Sequence, residues 1–401
     1  MTRERTIQLV EYGRRKLPKN ALSKEEALCL HEVYGKQISV EWPTPKNNDQ
    51  WELRPADSVG TIRVSPDLMV TIVPKVGLSN LFRMLEYAHD LAKFENKHLV
   101  NASSINDLFE SLATILAERV LRRARRGFYR DYIGREEELP YVRGQVNVEE
   151  ILRRPNRVVA LPCRYEEHTA DVEENQILAF TLQLVARSAC LTPRTRPLVS
   201  RANRSLAGVA TVQRVTGQAC VNRLYHRLND DYQPLHALCR FFLENCGPSH
   251  HQGHRGMVPF LVKMNLLFER FVAECLRRHL PEHLRFEAQE HVDVDEETGI
   301  RFHIDMVVYD RQRNLPIAVL DTKYKAPDVP STSDIQQIVS YAAIKNCRHG
   351  FLVYPSRKTS HVKTRVGENF HVETLFIPLD GDPTQIGPEL CDSFLSCLGD
   401  S

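Results

Sequence analysis

The chain has no Gly-x-x-x-x-Gly-Lys-Ser/Thr stretch, so it contains no P-loop for the phosphates of a nucleoside triphosphate. Any nucleotide hydrolysis tied to this protein is therefore expected from another chain. It has no apolar run near the ~18 residues a membrane span needs, and its first residues, Met1-Thr2-Arg3-Glu4-Arg5, lack the apolar core of a signal peptide. The expectation is a cytosolic protein. It has no excess of either charge: 53 Lys and Arg against 51 Asp and Glu leave +2, which excludes a polybasic coat that gathers nucleic acid by bulk attraction. It has no Cys-x-x-Cys pair. The ten cysteines stand singly, as expected of thiols that serve as small buried side chains in a reducing compartment. The one cluster of soft ligands, Cys246-Gly247-Pro248-Ser249-His250-His251-Gln252-Gly253-His254, has no common zinc spacing and reads as a His-rich polar loop.

What is present describes a soluble globular protein. Apolar residues make up 42% and charged residues 26%, and 401 residues at roughly 150 per domain make two or three domains. The patterning predicts an α+β multi-domain chain: a β-rich N-terminal domain over 1–77, a mainly helical middle domain with short strands over 78–256, and a C-terminal mixed-sheet domain over 257–401.

In the first part, strands are expected at 6–12, 37–42, 61–64 and 68–73, the last two flanking the turn signal Ser65-Pro66-Asp67. Ser23 and Glu26 form a capping box that opens a helix ending near Gly35. The polar segment 43–50 between Trp42 and Trp51 is expected to project, as a solvent-facing tip or as an insertion device.

In the middle part, Leu78, Leu81, Leu85, Ala88 and Ala92 recur at helical spacing. A longer helix covers 105–126 and ends in Arg119, Arg122, Arg123, Arg125 and Arg126. Those arginines complement the helix dipole, and they suit phosphates equally well. Short strands are expected at 141–148 and 161–167, helices at 171–189 and 232–245, and a connection at 193–215.

The chemistry gathers near the C-terminus. The runs 301–309 and 317–325 are apolar, β-prone and short, yet each carries charge where a buried strand should be apolar. Side chains alternate along a strand, so Asp321 and Lys323 share a face, and a neighbouring strand can bring Asp305 beside them. A helix over 258–279 carries Glu269 on an apolar face, where a lone carboxylate costs several kcal/mol unless it meets a cation or a metal. A second helix is expected to open at a Ser333–Gln336 capping box and to place Gln337 and Tyr341, four apart, on one face. The expected element order is αβββαβ. Asp305, Asp321 and Glu269, with the Thr322 backbone carbonyl, make an oxygen set suited to Mg²⁺ or Mn²⁺, and Lys323 can orient or deprotonate an attacking water. The reaction that fits is phosphodiester hydrolysis. A bare Asp-x-Lys pair also fits plain charge neutralisation on an edge strand, and Asp305, Glu269, Gln337 and Tyr341 are what tip the balance toward a site.

Glu269, Asp305, Asp321-Thr322-Lys323 and Gln337-x-x-x-Tyr341 resemble the PD-(D/E)XK nuclease superfamily in its Gln-xxx-Tyr branch, with Ile304 where many members have proline. The flanking cysteines lack the spacing of members that hold an iron–sulfur cluster. Beyond that core, Val59-Gly60, Val73-Pro74-Lys75, Met84-Leu85-Glu86-Tyr87-Ala88, Arg143-Gly144-Gln145-Val146, Pro162-Cys163-Arg164-Tyr165 and Asn175-Gln176-Ile177-Leu178 resemble the McrC family, the nuclease subunits of modification-dependent restriction systems. The resemblance implies a hexameric AAA+ GTPase partner of McrB type that recognises methylated DNA. It also implies an N-terminal portion that enters the partner's pore and stimulates GTP hydrolysis, and a C-terminal domain that cuts double-stranded DNA with Mg²⁺. Under it the 43–50 tip becomes a pore-facing candidate, with Lys46 as the contact, and Arg122, Arg123, Arg125, Arg126 and Lys325 become DNA-contact candidates. Two other classes stay open: a GTPase-activating scaffold with little nuclease activity, and a stand-alone DNA-processing nuclease.

Overall fold

The computed structural model describes residues 5–89, 104–153, 160–247, 258–295, 299–325, 329–356, 362–367, 370–379 and 383–399. The chain is an α+β multi-domain protein that divides into two compact units, one combining Met1–Ile105 with Leu261–Ser401 and the other formed by Asn106–Phe260.

In the first unit, the N-terminal residues build a four-stranded sheet. Leu68–Val73 lies parallel to Arg5–Val10 and antiparallel to Ser58–Ser65, and Phe260–Lys263 follows at the edge. Its apolar alternation is plain in Leu68–Val73, where every second residue is buried. A smaller sheet of Arg15–Leu17, Trp51–Pro55 and Ile38–Glu41, together with the helix Lys24–Tyr34, closes over the same core. Leu9, Leu30, Ile38, Leu53, Ile62, Val70 and Ile72 fill it. The Ser23–Glu26 capping box forms as expected and fixes where that helix begins.

The 43–50 segment is a tight structured turn. Thr44 caps a single 3₁₀ turn, Asn47 is buried and donates to the Trp42 carbonyl at 2.8 Å, and the Trp42 and Trp51 rings meet at 4.9 Å. Left-handed backbone at Asn48 and Asp49 completes the reversal, and Lys46 stays exposed on it. The strands at 15–17 and 51–55 were not among those expected, because Arg, Lys, Glu and Pro interrupt their alternation.

The C-terminal residues of this unit form a six-stranded sheet with Leu284–Asp295, Ile300–Asp310, Leu315–Thr322, His349–Pro355, Phe370–Ile377 and Lys363–Val366 in spatial order. The first three strands are antiparallel, and the third to fifth are parallel. The parallel step from the third to the fourth strand requires a crossover, which the helix Thr332–Ile344 supplies. Pro383–Gly399 packs on Met264–His279 and on Phe370–Ile377. Two corrections arise here. Residues 260–263 of the expected 258–279 helix are a strand, so the helix is Met264–His279. The crossover helix is capped by Ser331 with Asp334, two residues ahead of the expected Ser333–Gln336 box.

The second unit is built on the helix Ile105–Arg126, whose ends match the expectation, with Glu173–Ala186 and Tyr232–Asn245. Phe109 meets Phe242 edge to face and Phe260 at a tilt. Arg196–Ser205 is a helix inside the expected connection, opened by Pro197 in its first turn. A three-stranded sheet pairs Asp131–Leu139 with Leu161–Thr169, and Gln145–Val146 pairs on the latter's other side. The first of these strands went unpredicted because its Glu136, Glu137 and Glu138 carry no apolar period. All ten cysteines are free, and eight of them are buried. Of the His-rich loop 246–254, residues 248–254 lie outside the described residues, as does Ala92.

Candidate active site

Strand pairing assembles the site. Met306 faces Leu320 across Ile300–Asp310 and Leu315–Thr322, so the next step along both strands sets Asp305 opposite Asp321. Asp321 is buried at 1% exposure, and its Oδ2 lies 2.7 Å from the Lys323 Nζ. The Lys323 ammonium also donates to Gln337 Oε1 at 2.9 Å, and Gln337 Nε2 donates to the Tyr341 hydroxyl at 2.7 Å. That chain orients the Gln337 amide and leaves the Tyr341 phenol proton free to point at a ligand. Asp305 Oδ2 accepts from the Thr322 N–H at 3.1 Å and lies 3.4 Å from the Thr322 hydroxyl. Glu269 is half-buried, and the Gln289 amide donates to it at 3.3 Å.

The electrostatics follow from crowding carboxylates in a partly dry place. Burial and then Asp305 push the Asp321 carboxyl up to about 6, and burial and then Asp305 push Glu269 to about 7. Burial raises Asp305 as well, against the opposing Thr322 hydrogen bonds. Burial works to lower Lys323, but the Asp321 and Asp305 carboxylates outweigh it and hold the ammonium above its ordinary value. Lys323 is therefore a charged group, fit to hold an anionic oxygen and unfit to take a proton.

Neither oxygen of Asp321 completes a hydrogen bond; Oδ2 has the Lys323 ammonium at short range, without bonding geometry. A buried carboxylate oxygen with no partner, the Asp321 Oδ1, beside a second carboxylate fits a hard divalent cation. Among the described residues no three His, Cys, Asp or Glu side chains make a ready-made cluster. The donor set is thus two aspartates, with a backbone carbonyl and Glu269 nearby. This is enough for an ion that keeps several waters and takes substrate oxygens.

The other predicted residues are dispersed. Lys325 turns to Asp334 at 2.7 Å, and the Tyr354 hydroxyl donates to the same carboxylate at 3.2 Å. The Lys325 ammonium thereby ties the strand's end to the crossover helix. Arg123 pairs with Asp231 at 3.1 Å and lies 5.1 Å above the Tyr232 ring, whereas Arg122, Arg125 and Arg126 are exposed. Those three and Lys46 are not brought into the carboxylate site. Sequence reasoning missed Gln289, Asp334 and Tyr324. The alternation Asp321, Lys323, Lys325 left Tyr324 on the other face, and Asp334 carried a signal only as the fourth residue of the Ser331 capping box.

The sequence profile of a family described as "McrBC 5-methylcytosine restriction system component" matches residues 53–355. The type IV methyl-directed restriction enzyme EcoKMcrBC of Escherichia coli is 22% identical over 332 residues, covering 76% of this chain and 92% of that protein. Among solved structures, a chain of the refined half-complex from the tetradecameric assembly of Thermococcus gammatolerans McrB AAA+ hexamers with bound McrC superposes with a TM-score of 0.57. It does so at 17% identity, over 98% of this chain and 100% of that one, a likeness of fold.

Proposed function

The chain belongs to the McrBC 5-methylcytosine restriction system component family, and on that premise we propose that it is the McrC-type subunit, a divalent-metal-dependent endonuclease that cuts double-stranded DNA. The observation that carries this reading is the juxtaposition of Asp305 and the buried Asp321 carboxylate with the Lys323 ammonium, backed by Gln337 and Tyr341. It supports a PD-(D/E)XK assignment for the sheet at 284–377.

Asp305, Asp321 and the Thr322 carbonyl would hold Mg²⁺ or Mn²⁺, with Glu269 as a further oxygen. Bound there, the ion supplies Lewis-acid polarisation of the scissile phosphate and a more acidic water. The protein residues supply the rest. Lys323 holds its positive charge where negative charge accumulates on the phosphate. Gln337 keeps that ammonium aimed, and Tyr341 donates to a phosphate oxygen.

The solved relative joins McrC to McrB AAA+ hexamers, and the curated relative is a methyl-directed restriction enzyme. Carried to this chain, those descriptions support a hexameric McrB-type AAA+ partner and a methyl-directed restriction role; that the partner is a GTPase and the substrate methylated DNA follows from the family resemblance. A three-part division of labour goes with them: 1–77 meets the partner, with Lys46 exposed on its tight turn, 78–256 connects, and 257–401 cuts. The test is cleavage of methylated DNA with the partner and GTP. Asp321→Ala and Lys323→Ala should each abolish cleavage and leave stimulation of GTP hydrolysis intact, and undiminished cleavage in either would defeat the assignment.

A second reading has one observation in its favour, the lack of a ready-made three-ligand cluster among the described residues. In it the chain is chiefly a GTPase-activating scaffold. Cleavage no faster than that of Asp321→Ala, alongside full GTPase stimulation, would select it.

A further inference from the structure

The strand that carries Asp321 runs on through Lys323 into a contact with the N-terminal sheet. The next residue, Tyr324, sets its ring 5.9 Å from that of Phe268, the neighbour of Glu269 on the Met264–His279 helix. Its hydroxyl faces the carboxylate of Glu11, which directly follows the strand Arg5–Val10. Glu11 is fully buried. Its N–H donates to the Val73 carbonyl at 2.9 Å, and its Oε2 receives the Lys75 N–H at 3.4 Å. The Tyr324 hydroxyl lies within hydrogen-bonding reach of that carboxylate, without the alignment of a completed bond.

The other half of the site has a tie of the same origin. The Met264 N–H, at the start of the Glu269 helix, donates to the Asp57 carbonyl at 2.7 Å. The strand that leads into that helix, Phe260–Lys263, is itself the edge strand of the N-terminal sheet. One sheet thus grips both the helix that bears Glu269 and the segment that bears Lys323.

A buried carboxylate and a buried phenol have only each other to satisfy them there, so the position of one constrains the position of the other. The residue that moves with Tyr324 is Lys323, whose ammonium sits against Asp321 Oδ2 at 2.7 Å, where it competes with any cation for that oxygen. We propose that Tyr324 is a positioning residue, and that the Glu11–Tyr324 contact is the linkage through which the N-terminal sheet sets Lys323 against Asp321 and so sets the divalent-cation affinity of the site. The linkage rests on the metal-site reading given above. It provides a route by which an event on the N-terminal sheet reaches the carboxylates without any group crossing the space between them.

The test is Mn²⁺ binding by calorimetry to the full-length chain without DNA or partner, for wild type, Tyr324→Phe, Glu11→Leu, the double variant and Asp321→Ala. Phe keeps the ring against Phe268, and Leu fills the buried Glu11 position without an unpaired oxygen. Each single variant should change Mn²⁺ affinity about fivefold, and the double should change it no more than the larger single, as for two residues acting through one contact. Asp321→Ala should weaken binding beyond any of them. Wild-type affinity in both single variants, with Asp321→Ala impaired, overturns the linkage alone, as do single effects that multiply in the double. Equal affinity in wild type and Asp321→Ala overturns the metal reading beneath it. If Tyr324→Phe does not fold, Glu11→Leu decides: an affinity shift supports the linkage and wild-type affinity overturns it.

Discussion

Asp321 sits buried beside a second carboxylate, with neither oxygen in a completed hydrogen bond, and its carboxyl is pushed up to about 6 by burial and by Asp305. The folded chain therefore binds this proton more tightly than the unfolded chain does. Stability is highest below the unfolded value, declines as pH rises toward about 6, and stays reduced above it, by on the order of 2–3 kcal/mol for this group. Glu269, at about 7, acts in the same direction. Asp321→Asn removes the titration but keeps the shape. Without divalent ions, its melting temperature relative to wild type should climb between pH 4 and pH 8, by on the order of 5 °C. Mg²⁺ at pH 8 should then raise wild type more than the variant. A melting difference that is flat with pH would show that the carboxylates cost the fold nothing, and with it the strain that marks a functional site would be gone. The same crowding explains why the site could be found in the sequence. Charge at Asp305, Asp321 and Lys323 interrupts otherwise apolar strands, and strand alternation alone brings the latter two onto one face. Glu11 and Tyr324 gave no such signal, because their meeting depends on tertiary contact between segments near opposite ends of the chain.

The crossover helix Thr332–Ile344 shows how an element, and not only its residues, carries the chemistry. Its spacing sets Tyr341 beside Gln337, and it brings Gln337 to Lys323 because it lies tight on the sheet at Gly350, where an added Cβ would come within 2.7 Å of the buried Ile338 Cγ1. Gly350→Ala should therefore lift the helix, at a cost of about 1–3 kcal/mol. It should also depress cleavage at temperatures where the variant is still fully folded, since a hydrogen-bonded chain of side chains tolerates little displacement. Chemical denaturation together with cleavage of methylated DNA measures both, and a destabilised variant with wild-type cleavage would separate the helix from the site. Legibility at this scale tracks periodicity. Ile105–Arg126 was legible from its apolar stripe and the arginines that close it, and the helix expected near 232–245 is Tyr232–Asn245. The strand Asp131–Leu139 is Glu-rich and largely exposed, and so has no pattern to read. Phe260–Lys263 was absorbed into a helix because its apolar residues run on into the apolar face of the helix that follows, and only pairing at the edge of a sheet makes it a strand.

For the whole molecule the question is how a chain of net charge +2 engages a polyanion. Long-range attraction is small, so affinity for DNA must come from local clusters, or the DNA must be delivered by a partner. The helix Ile105–Arg126 ends in the densest cluster, and the structure divides it. Arg123 is held by Asp231 and stacked over Tyr232, so its charge is already answered, whereas Arg122, Arg125 and Arg126 are exposed. If the exposed three neutralise phosphates, replacing them all with Ala should weaken binding of the isolated chain to duplex DNA and lower the slope of log affinity against log salt by about 2–3, at roughly 0.9 per phosphate contact. Arg123→Ala should leave that slope unchanged and lower the melting temperature instead, because it removes a partly buried ion pair and a ring contact. Fluorescence anisotropy across a salt series reads the first effect, and thermal melts read the second. An unchanged slope in the triple variant would assign those arginines to the helix dipole and to solvent, and would leave the partner hexamer as the means by which DNA reaches the carboxylates.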